Sequence, residues 1–179
     1  MKFESFKSWL NENVQYDNDM WIEFGYFNKF LSRKLKESEF KNLIETSKVQ
    51  NVNYKNFTKI YQRYDEDFNK LVNAKNTSLK QKIEWWKPKY LQMKKFEKEK
   101  QSDEYYYKLV NAIKEDKVTT PIIVLSINDE TKKNYKFICG GRNRMILSYI
   151  LQKPIKTIII TLPAEKKENI KKIIDNRNR

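Results

Sequence analysis

The chain has 179 residues, 39% of them hydrophobic, which is enough for one domain with a core of its own. It contains one cysteine, Cys139, and no histidine, so disulfide frameworks, Cys/His zinc sites and histidine-dependent nucleophiles are excluded within this chain. No apolar run approaches the roughly 18 residues of a membrane span, and the first residues lack the apolar stretch of a secretion signal. These features predict a soluble, cytoplasmic protein with no membrane partner.

Positive charge is in excess and is unevenly distributed. The 37 Lys and Arg residues outnumber the 23 Asp and Glu residues, which gives a formal net charge of +14, and residues 81–179 carry +11 of it. A field of this size attracts polyanions and predicts a nucleic-acid partner. The alternative is that an AT-rich genome has enriched lysine without a functional purpose, and the same composition fits a phage or mobile-element origin.

Residues 1–78 are predicted to form a helical N-terminal region. The first 80 residues contain 15 of the 25 aromatic residues and no proline, and their apolar residues recur at helical spacing. The apolar stripes are Met20, Phe24, Phe27 and Leu31; Phe40, Leu43 and Ile44; and Phe57, Tyr61, Tyr64, Phe68 and Leu71. This pattern predicts three or four helices with an aromatic core, and the alternative is that exposed rings stack on nucleic-acid bases. Asn76-Thr77-Ser78 is the predicted junction to the next region.

The segment after this junction is predicted to be extended. Ile83, Trp85 and Trp86 are interpreted as a short strand with core side chains that ends at Lys87-Pro88, because a residue before proline favours extended geometry. The alternative is that one of the two tryptophans stacks on a base or packs against the N-terminal helices. Residues 94–100 then form a charged surface segment.

From Gln101 the sequence predicts alternating helices and strands. A helix capped by Ser102 or Asp103 is followed by an apolar strand over residues 121–127, a polar turn over 128–134 and a strand over 135–139 that includes Cys139 as a small buried residue. A helix over 145–151, a strand over 155–162 and a basic helix over 164–179, with Ile170, Ile173 and Ile174 inward, complete the order. This order predicts an α+β fold, in which the helical region precedes a small mixed β-sheet domain over residues 79–163.

The junction between the second of these strands and its following helix carries the most informative motif. Gly140-Gly141-Arg142-Asn143-Arg144 places two of the chain's three glycines directly before a helix. Such a corner directs main-chain amides and the positive end of the helix dipole toward one point, where guanidinium groups and an amide can also bind phosphate oxygens. The alternative is a tight strand-to-helix turn with two solvated arginines.

The order of elements over residues 109–162 resembles the ParB/sulfiredoxin-like superfamily. The matching segments are LVNAIKEDKVTTPIIVL, YKFICGGRNRMILSYIL and PIKTIIITL, and a first strand with its following loop at 83–91 would extend the resemblance to residues 83–162. The resemblance implies that the corner binds the phosphates of a nucleoside triphosphate, with Mg²⁺ held largely by phosphates and water. Gly141 and Arg144 match the fixed glycine and arginine of the family, and Gly140 matches the extra glycine of the sulfiredoxins. Lys87 and Lys89 flank Pro88, where the first loop of the family approaches the nucleotide, and the resemblance therefore implies that they contact its phosphates.

The residue at position 142 departs from the family and narrows the implied chemistry. Sulfiredoxins carry their reactive cysteine where this chain has Arg142, so sulfinic-acid repair is not expected. Partition proteins of the family have glutamate there, associated with nucleotide hydrolysis, and the arginine leaves hydrolysis open. The resemblance therefore implies a fold and a phosphate loop without fixing the reaction.

The sequence thus predicts a nucleotide-binding, ParB-like protein that acts in a DNA or RNA transaction. One alternative is a phosphoryl-transfer enzyme related to ATP-dependent free-serine kinases, in which a carboxylate would be the general base. Another alternative is a non-catalytic nucleic-acid-binding module or a Mg²⁺-dependent nuclease. No catalytic residue and no metal-binding cluster is assigned, and the oligomeric state is left open.

Overall fold

The chain divides into two compact units, each built from separate stretches of the sequence. The structure is a computed structural model and describes residues 18–56, 66–94, 100–118 and 120–177. One unit, the sheet unit, contains the chain up to Gln50, Ile122–Gly141 and the chain from Thr157. The other, the helical unit, contains Asn51–Pro121 and Arg142–Lys156. The stretches of the two units are interleaved along the chain, whereas the regions predicted from the sequence, which were divided at residues 78 and 163, are consecutive.

The sheet is small and mixed, and it confirms the predicted α+β class. Its strands, in the spatial order β1, β4, β2, β3, are β1 (Val49–Val52), β4 (Ile155–Glu165), β2 (Ile122–Asp129) and β3 (Asn134–Gly140). β2 runs antiparallel to β3, with Leu125 opposite Phe137, and parallel to β4, with Ile123 beside Ile158. Every side chain of β2 up to Ile127 is buried, as expected for a central strand rich in β-branched residues. β1 lies within the region predicted to be helical.

The helices of the sheet unit are α1 (Asn18–Phe30), α2 (Glu37–Thr46) and α7 (Lys167–Arg177). The predicted aromatic stripe of α1 is confirmed, because Phe24 and Phe27 are buried. The ring of Phe24 stacks on Phe40 of α2 with centroids 4.0 Å apart, and Phe27 contacts Phe137 of β3 at 5.3 Å. In α7, Ile170 and Ile173 are buried as predicted and Ile174 is half-buried.

The helical unit contains α3 (Glu66–Asn73), α4 (Leu79–Met93), α5 (Asp103–Lys114) and α6 (Arg142–Leu151). The predicted cap of α5 is confirmed, since Ser102 Oγ accepts a hydrogen bond from the N–H of Tyr105 at 3.1 Å. Phe68 and Leu71 of α3 are buried, while Phe57, Tyr61, Tyr64 and residues 95–99 lie outside the described residues.

Helix α4 contradicts the predicted strand that begins at Ile83 and ends at Lys87-Pro88, and the loop predicted after it. Ser78, which the sequence predicted to lie at a junction, is the N-cap of α4, and its hydroxyl accepts a hydrogen bond from the N–H of Gln81 at 3.2 Å.

Pro88 lies inside helix α4 and removes the hydrogen bond to the carbonyl of Glu84, a cost of about 3 kcal/mol in a helix interior. Packing against α5 offsets this cost, and Tyr106 Oη donates to the buried carbonyl of Ile83 at 2.7 Å.

The two adjacent tryptophans of α4 differ in burial. Trp86 is 1% exposed, which confirms the prediction of a core residue, whereas Trp85 is 41% exposed and the same prediction is wrong for it. On a helix two adjacent residues point in different directions, so one can be buried while the other faces solvent.

Cys139 of β3 is fully buried, as predicted. None of the helices in the described residues is long and apolar enough to cross a bilayer.

Candidate functional site

The chain passes from β3 into α6 through Gly141. Gly140 is the last residue of β3, Arg142 is the first residue of α6, and Gly141 between them has a φ of 83°. This left-handed conformation is strained for a residue with a Cβ, so the turn itself requires the second glycine of the pair. The predicted corner is therefore present, and its helix begins at Arg142 instead of at Met145.

The first turn of α6 has an unfavourable charge pattern. It begins with Arg142-Asn143-Arg144 and contains no acidic residue. A cation next to the positive end of a helix dipole opposes helix formation, by about 0.3–1 kcal/mol at an exposed position. Helix α5 shows the stabilising arrangement, with Asp103 and Glu104 in its first turn. An anion bound at the start of α6 would remove the repulsion there.

Arg144 is half-buried and is restrained by the main chain. One guanidinium nitrogen, Nη2, donates to the carbonyl of Pro121, the residue before β2, at 3.4 Å. This distance is long for an N–H···O hydrogen bond, and the contact orients the guanidinium toward the start of β2. Arg142 is also half-buried. The two predicted arginines therefore lie close to the helix start with part of their surface accessible.

Asn143 is held by a buried tryptophan that the sequence did not connect to the corner. The indole Nε1 of Trp86 donates to Asn143 Oδ1 at 3.2 Å. Because an indole N–H can only donate, the asparagine oxygen must face Trp86, and the Nδ2 group is the part of the side chain left to donate elsewhere. Packing of α4 against α6 thus fixes the orientation of a neutral donor in the first turn of α6.

Lys87, a predicted phosphate contact on α4, has carboxylates as its partners. Its Nζ lies 2.9 Å from Asp103 Oδ2 and 3.4 Å from Glu84 Oε2. It also donates to Tyr107 Oη at 3.3 Å and lies 5.2 Å from the centre of that ring. A phosphate would have to compete with two carboxylates for this ammonium group, so its role as a phosphate contact stays a prediction.

The same network shifts three pKa values. The hydrogen bond to Asp103 is the largest cause of a raised pKa at Lys87, followed by the one to Tyr107. Tyr107 Oη donates to Glu84 Oε1 at 2.5 Å, and this bond lowers the pKa of Glu84 and raises that of Tyr107. The cluster thus favours the ionised carboxylate, the ammonium and the neutral phenol, which is the pattern of a structural ion pair.

Sequence reasoning missed these partners because it assigned Ile83 to Lys87 to a strand and the residues after it to a loop. In a helix, Glu84 and Lys87 are three positions apart and face the same side, so the pair would have been visible had the helix been recognised. Lys89, the other predicted contact on α4, is half-buried. Trp86 gave a weaker signal, since a buried tryptophan needs an acceptor for its N–H but the sequence does not identify which one.

Within the described ranges no group of three or more acidic or cysteine side chains could hold a metal ion. The donors at the start of α6 are arginine and amide groups, which suit an anion better than a cation. A divalent cation arriving with a phosphate ligand would therefore be held by phosphate oxygens and water.

Comparison with known proteins found no match to this chain among family models, curated proteins or solved structures.

Proposed function

We propose that this protein binds the phosphates of a nucleoside triphosphate, with its Mg²⁺, at the first turn of α6 and acts in a DNA or RNA transaction. The observation that carries the proposal is the start of α6, whose first turn contains two arginines and no acidic residue of its own. Departures from locally favourable patterns are expected at functional sites. A bound phosphate would turn this repulsive arrangement into an attractive one.

Each residue of the corner has a role in this proposal. Arg142 and Arg144 supply charge and paired donors, and the oriented Nδ2 of Asn143 supplies a neutral hydrogen bond. Gly140 ends β3, and Gly141 makes the left-handed turn into α6, whose first main-chain amides lack partners within the helix and can donate to a phosphate. Mg²⁺ would bridge phosphate oxygens and water and would neutralise charge on the nucleotide.

The order of elements after residue 121 supports the proposed relation to the ParB/sulfiredoxin-like superfamily. β2, β3, the glycine corner, α6 and β4 follow one another as the resemblance implies, and β2 and β4 are parallel neighbours. The first strand and following loop expected at residues 83–91 are absent, because these residues belong to α4. The relation thus rests on the segment from β2 to β4.

Binding is proposed in preference to phosphoryl transfer because of the state of the carboxylates on the helices that pack against α6. Glu84 accepts a hydrogen bond from Tyr107 that lowers its pKa, and Asp103 contacts Lys87. With its lowered pKa, Glu84 is a weaker general base, and Asp103 is engaged in an ion pair with Lys87. Neither side chain is therefore assigned a catalytic role.

Isothermal titration with ATP, GTP, CTP and UTP in the presence of Mg²⁺ tests the proposal. Asn143→Asp is the most informative variant, because a carboxylate still accepts from Trp86 and is favourable at a helix start, yet it repels phosphate. We expect nucleotide affinity at least about tenfold weaker, while thermal stability is unchanged or higher. Arg144→Gln should also weaken binding.

Lys153→Gln is the matched control, since it removes a positive charge just after the C-terminal end of the same helix. Its nucleotide affinity should equal that of the wild type. The proposal is overturned if the wild type binds none of the four nucleotides, or if Asn143→Asp and Lys153→Gln have the same effect.

A further inference from the structure

Three basic pairs from distant parts of the sequence meet at one edge of the sheet unit. The pairs are Arg33-Lys34, Lys132-Lys133 and Lys166-Lys167, and all six side chains are exposed. We call these six residues the basic edge. Two contacts bring them together: Asp129, the last residue of β2, is the register partner of Glu165, the last residue of β4, and Ser32 is hydrogen-bonded to Glu165. Each pair follows one of these three contacting residues within a few positions.

The carboxylate of Glu165 holds two of these segments together. It is 6% exposed and accepts from the N–H of Ser32 at 3.0 Å, from Ser32 Oγ at 2.7 Å and from Asn169 Nδ2 at 3.0 Å. Asn169 Nδ2 also donates to Ser32 Oγ at 2.9 Å. The loop after α1 is therefore fastened to the first turn of α7, which fixes Arg33 and Lys34 beside Lys166 and Lys167.

A second buried carboxylate shapes the turn that carries Lys132 and Lys133. Asp129 is 2% exposed and accepts from Thr131 Oγ1 at 2.6 Å and from the N–H groups of Thr131 and Lys133, each at 2.9 Å. The bond from Thr131 Oγ1 is the largest cause of the lowered pKa of Asp129. Both buried carboxylates therefore hold backbone segments in place, below the exposed cations.

Most cations of the basic edge have no carboxylate within ion-pair distance in the part of the chain that the structure describes. Among the described residues, only Arg33 of the six has a carboxylate within 4.0 Å, that of Glu39 at 2.7 Å. Lys34 Nζ donates to two main-chain carbonyls at the end of α1, at 2.6 and 2.8 Å, and these leave its charge in place. Over residues 32–39, 129–136 and 165–172 together, 10 Lys and Arg residues face six Asp and Glu residues.

We propose that the basic edge binds the sugar–phosphate backbone of duplex nucleic acid. A duplex presents one negative charge per roughly 1.7 Å of its axis, and neighbouring strand ends of a sheet lie about 4.8 Å apart, so cations from several segments can each meet a phosphate. A membrane surface fits less well, because an interfacial helix exposes large apolar residues, whereas Ile170 and Ile173 of α7 are buried. The inference rests on the proposed nucleic-acid role of the protein but does not depend on its nucleotide site.

Fluorescence anisotropy with a short labelled DNA duplex of mixed sequence, at several salt concentrations, tests this assignment. The variant combines Lys132→Asn with Lys167→Gln. Lys132 has a φ of 64°, which asparagine tolerates well, and Lys167 is the first residue of α7, where losing a cation favours the helix. We expect affinity roughly tenfold weaker or more at about 0.1 M salt, and a slope of log affinity against log salt reduced by about 2.

Lys75→Gln combined with Lys80→Gln is the matched control, because it removes two exposed lysines from the helical unit. The inference is overturned if this control weakens duplex binding as much as the edge variant does, since binding would then follow total charge alone. It is also overturned if the wild type does not bind the duplex at about 50 mM salt, or if the edge variant loses binding only to vesicles of anionic lipid.

Nucleotide titration of the edge variant separates this inference from the proposed function. Unchanged nucleotide affinity together with weakened duplex binding supports both. If no nucleotide binds but duplex binding still depends on Lys132 and Lys167, the basic edge stands and the nucleotide site does not. If Asn143→Asp weakens duplex binding and the edge variant does not, the assignment of duplex binding to the basic edge is wrong.

Discussion

The start of α6 and the basic edge are both rich in cations, but their side chains are constrained differently. At α6, Asn143 and Arg144 contact the Trp86 indole and the Pro121 carbonyl. At the basic edge the lysines are exposed, and the buried carboxylates below them bond to main-chain and neutral side-chain donors. Constrained donors suit one small anion in a defined position, whereas exposed lysines suit a long polyanion that contacts many phosphates.

The largest expected effect tests the constrained region. Trp86→Ala should lower the free energy of unfolding by about 3–5 kcal/mol, because it empties a fully buried indole site and removes the donor of Asn143. Urea unfolding followed by circular dichroism measures it. Trp85→Ala, which changes a 41% exposed neighbour, should cost less than about 1 kcal/mol. Equal losses in the two variants would contradict the placement of Trp86 against α6.

A smaller effect is expected where the basic edge is assembled. Glu165→Ala should cost about 2–3 kcal/mol, because the N–H and Oγ of Ser32 and the amide of Asn169 lose a charged acceptor. It should also weaken duplex binding, although the change makes the protein more positive. Ser32→Ala keeps the main-chain bond to Glu165 and should cost about 1 kcal/mol. Stronger duplex binding by Glu165→Ala would show that net charge matters and the arrangement does not.

The turn of the basic edge should show a pH dependence. Because the pKa of Asp129 is lower in the folded protein than its ordinary value of 3.8, its stabilising contribution is complete well above pH 4 and is lost as the pH falls through the folded-state pKa. Asp129→Asn should therefore melt at a lower temperature than the wild type near pH 7, and the gap should narrow below about pH 4. Thermal unfolding across this range measures it, and a gap independent of pH would contradict the assignment.

The smallest expected effect concerns Lys87. Its ammonium group is already paired with Asp103 and Glu84, so Lys87→Gln should change nucleotide affinity by no more than about twofold. The same titration as for Asn143→Asp measures it. A loss of nucleotide affinity of about tenfold or more would show that Lys87 breaks its ion pairs with Asp103 and Glu84 to contact phosphate. The phosphate site would then include Lys87 as well as the residues at the start of α6.

Prediction from the sequence succeeded where one short segment carries the whole signal. The continuous β-branched run of β2, the serine cap of α5 and the glycines before α6 each depend on neighbours within a few residues. It failed at residues 83–91, where Pro88 favours an extended chain locally but packing against α5 and the Ser78 cap favour a helix. The geometry of the candidate site was predicted only in part for the same reason. The glycine corner is local, whereas Trp86, which contacts Asn143, is 57 positions away in sequence.

The amino-acid sequence by itself determined the α+β class, the aromatic core of α1 and the corner at Gly140 and Gly141, because period, propensity and glycine geometry act over a few residues. Only the tertiary structure decided that Trp86 orients Asn143, that Lys87 pairs with carboxylates and that three basic pairs surround Glu165. These arrangements depend on which helix packs on which and on the register of β2 with β4. Burial and hydrogen bonding summed over the whole fold set that packing and that register.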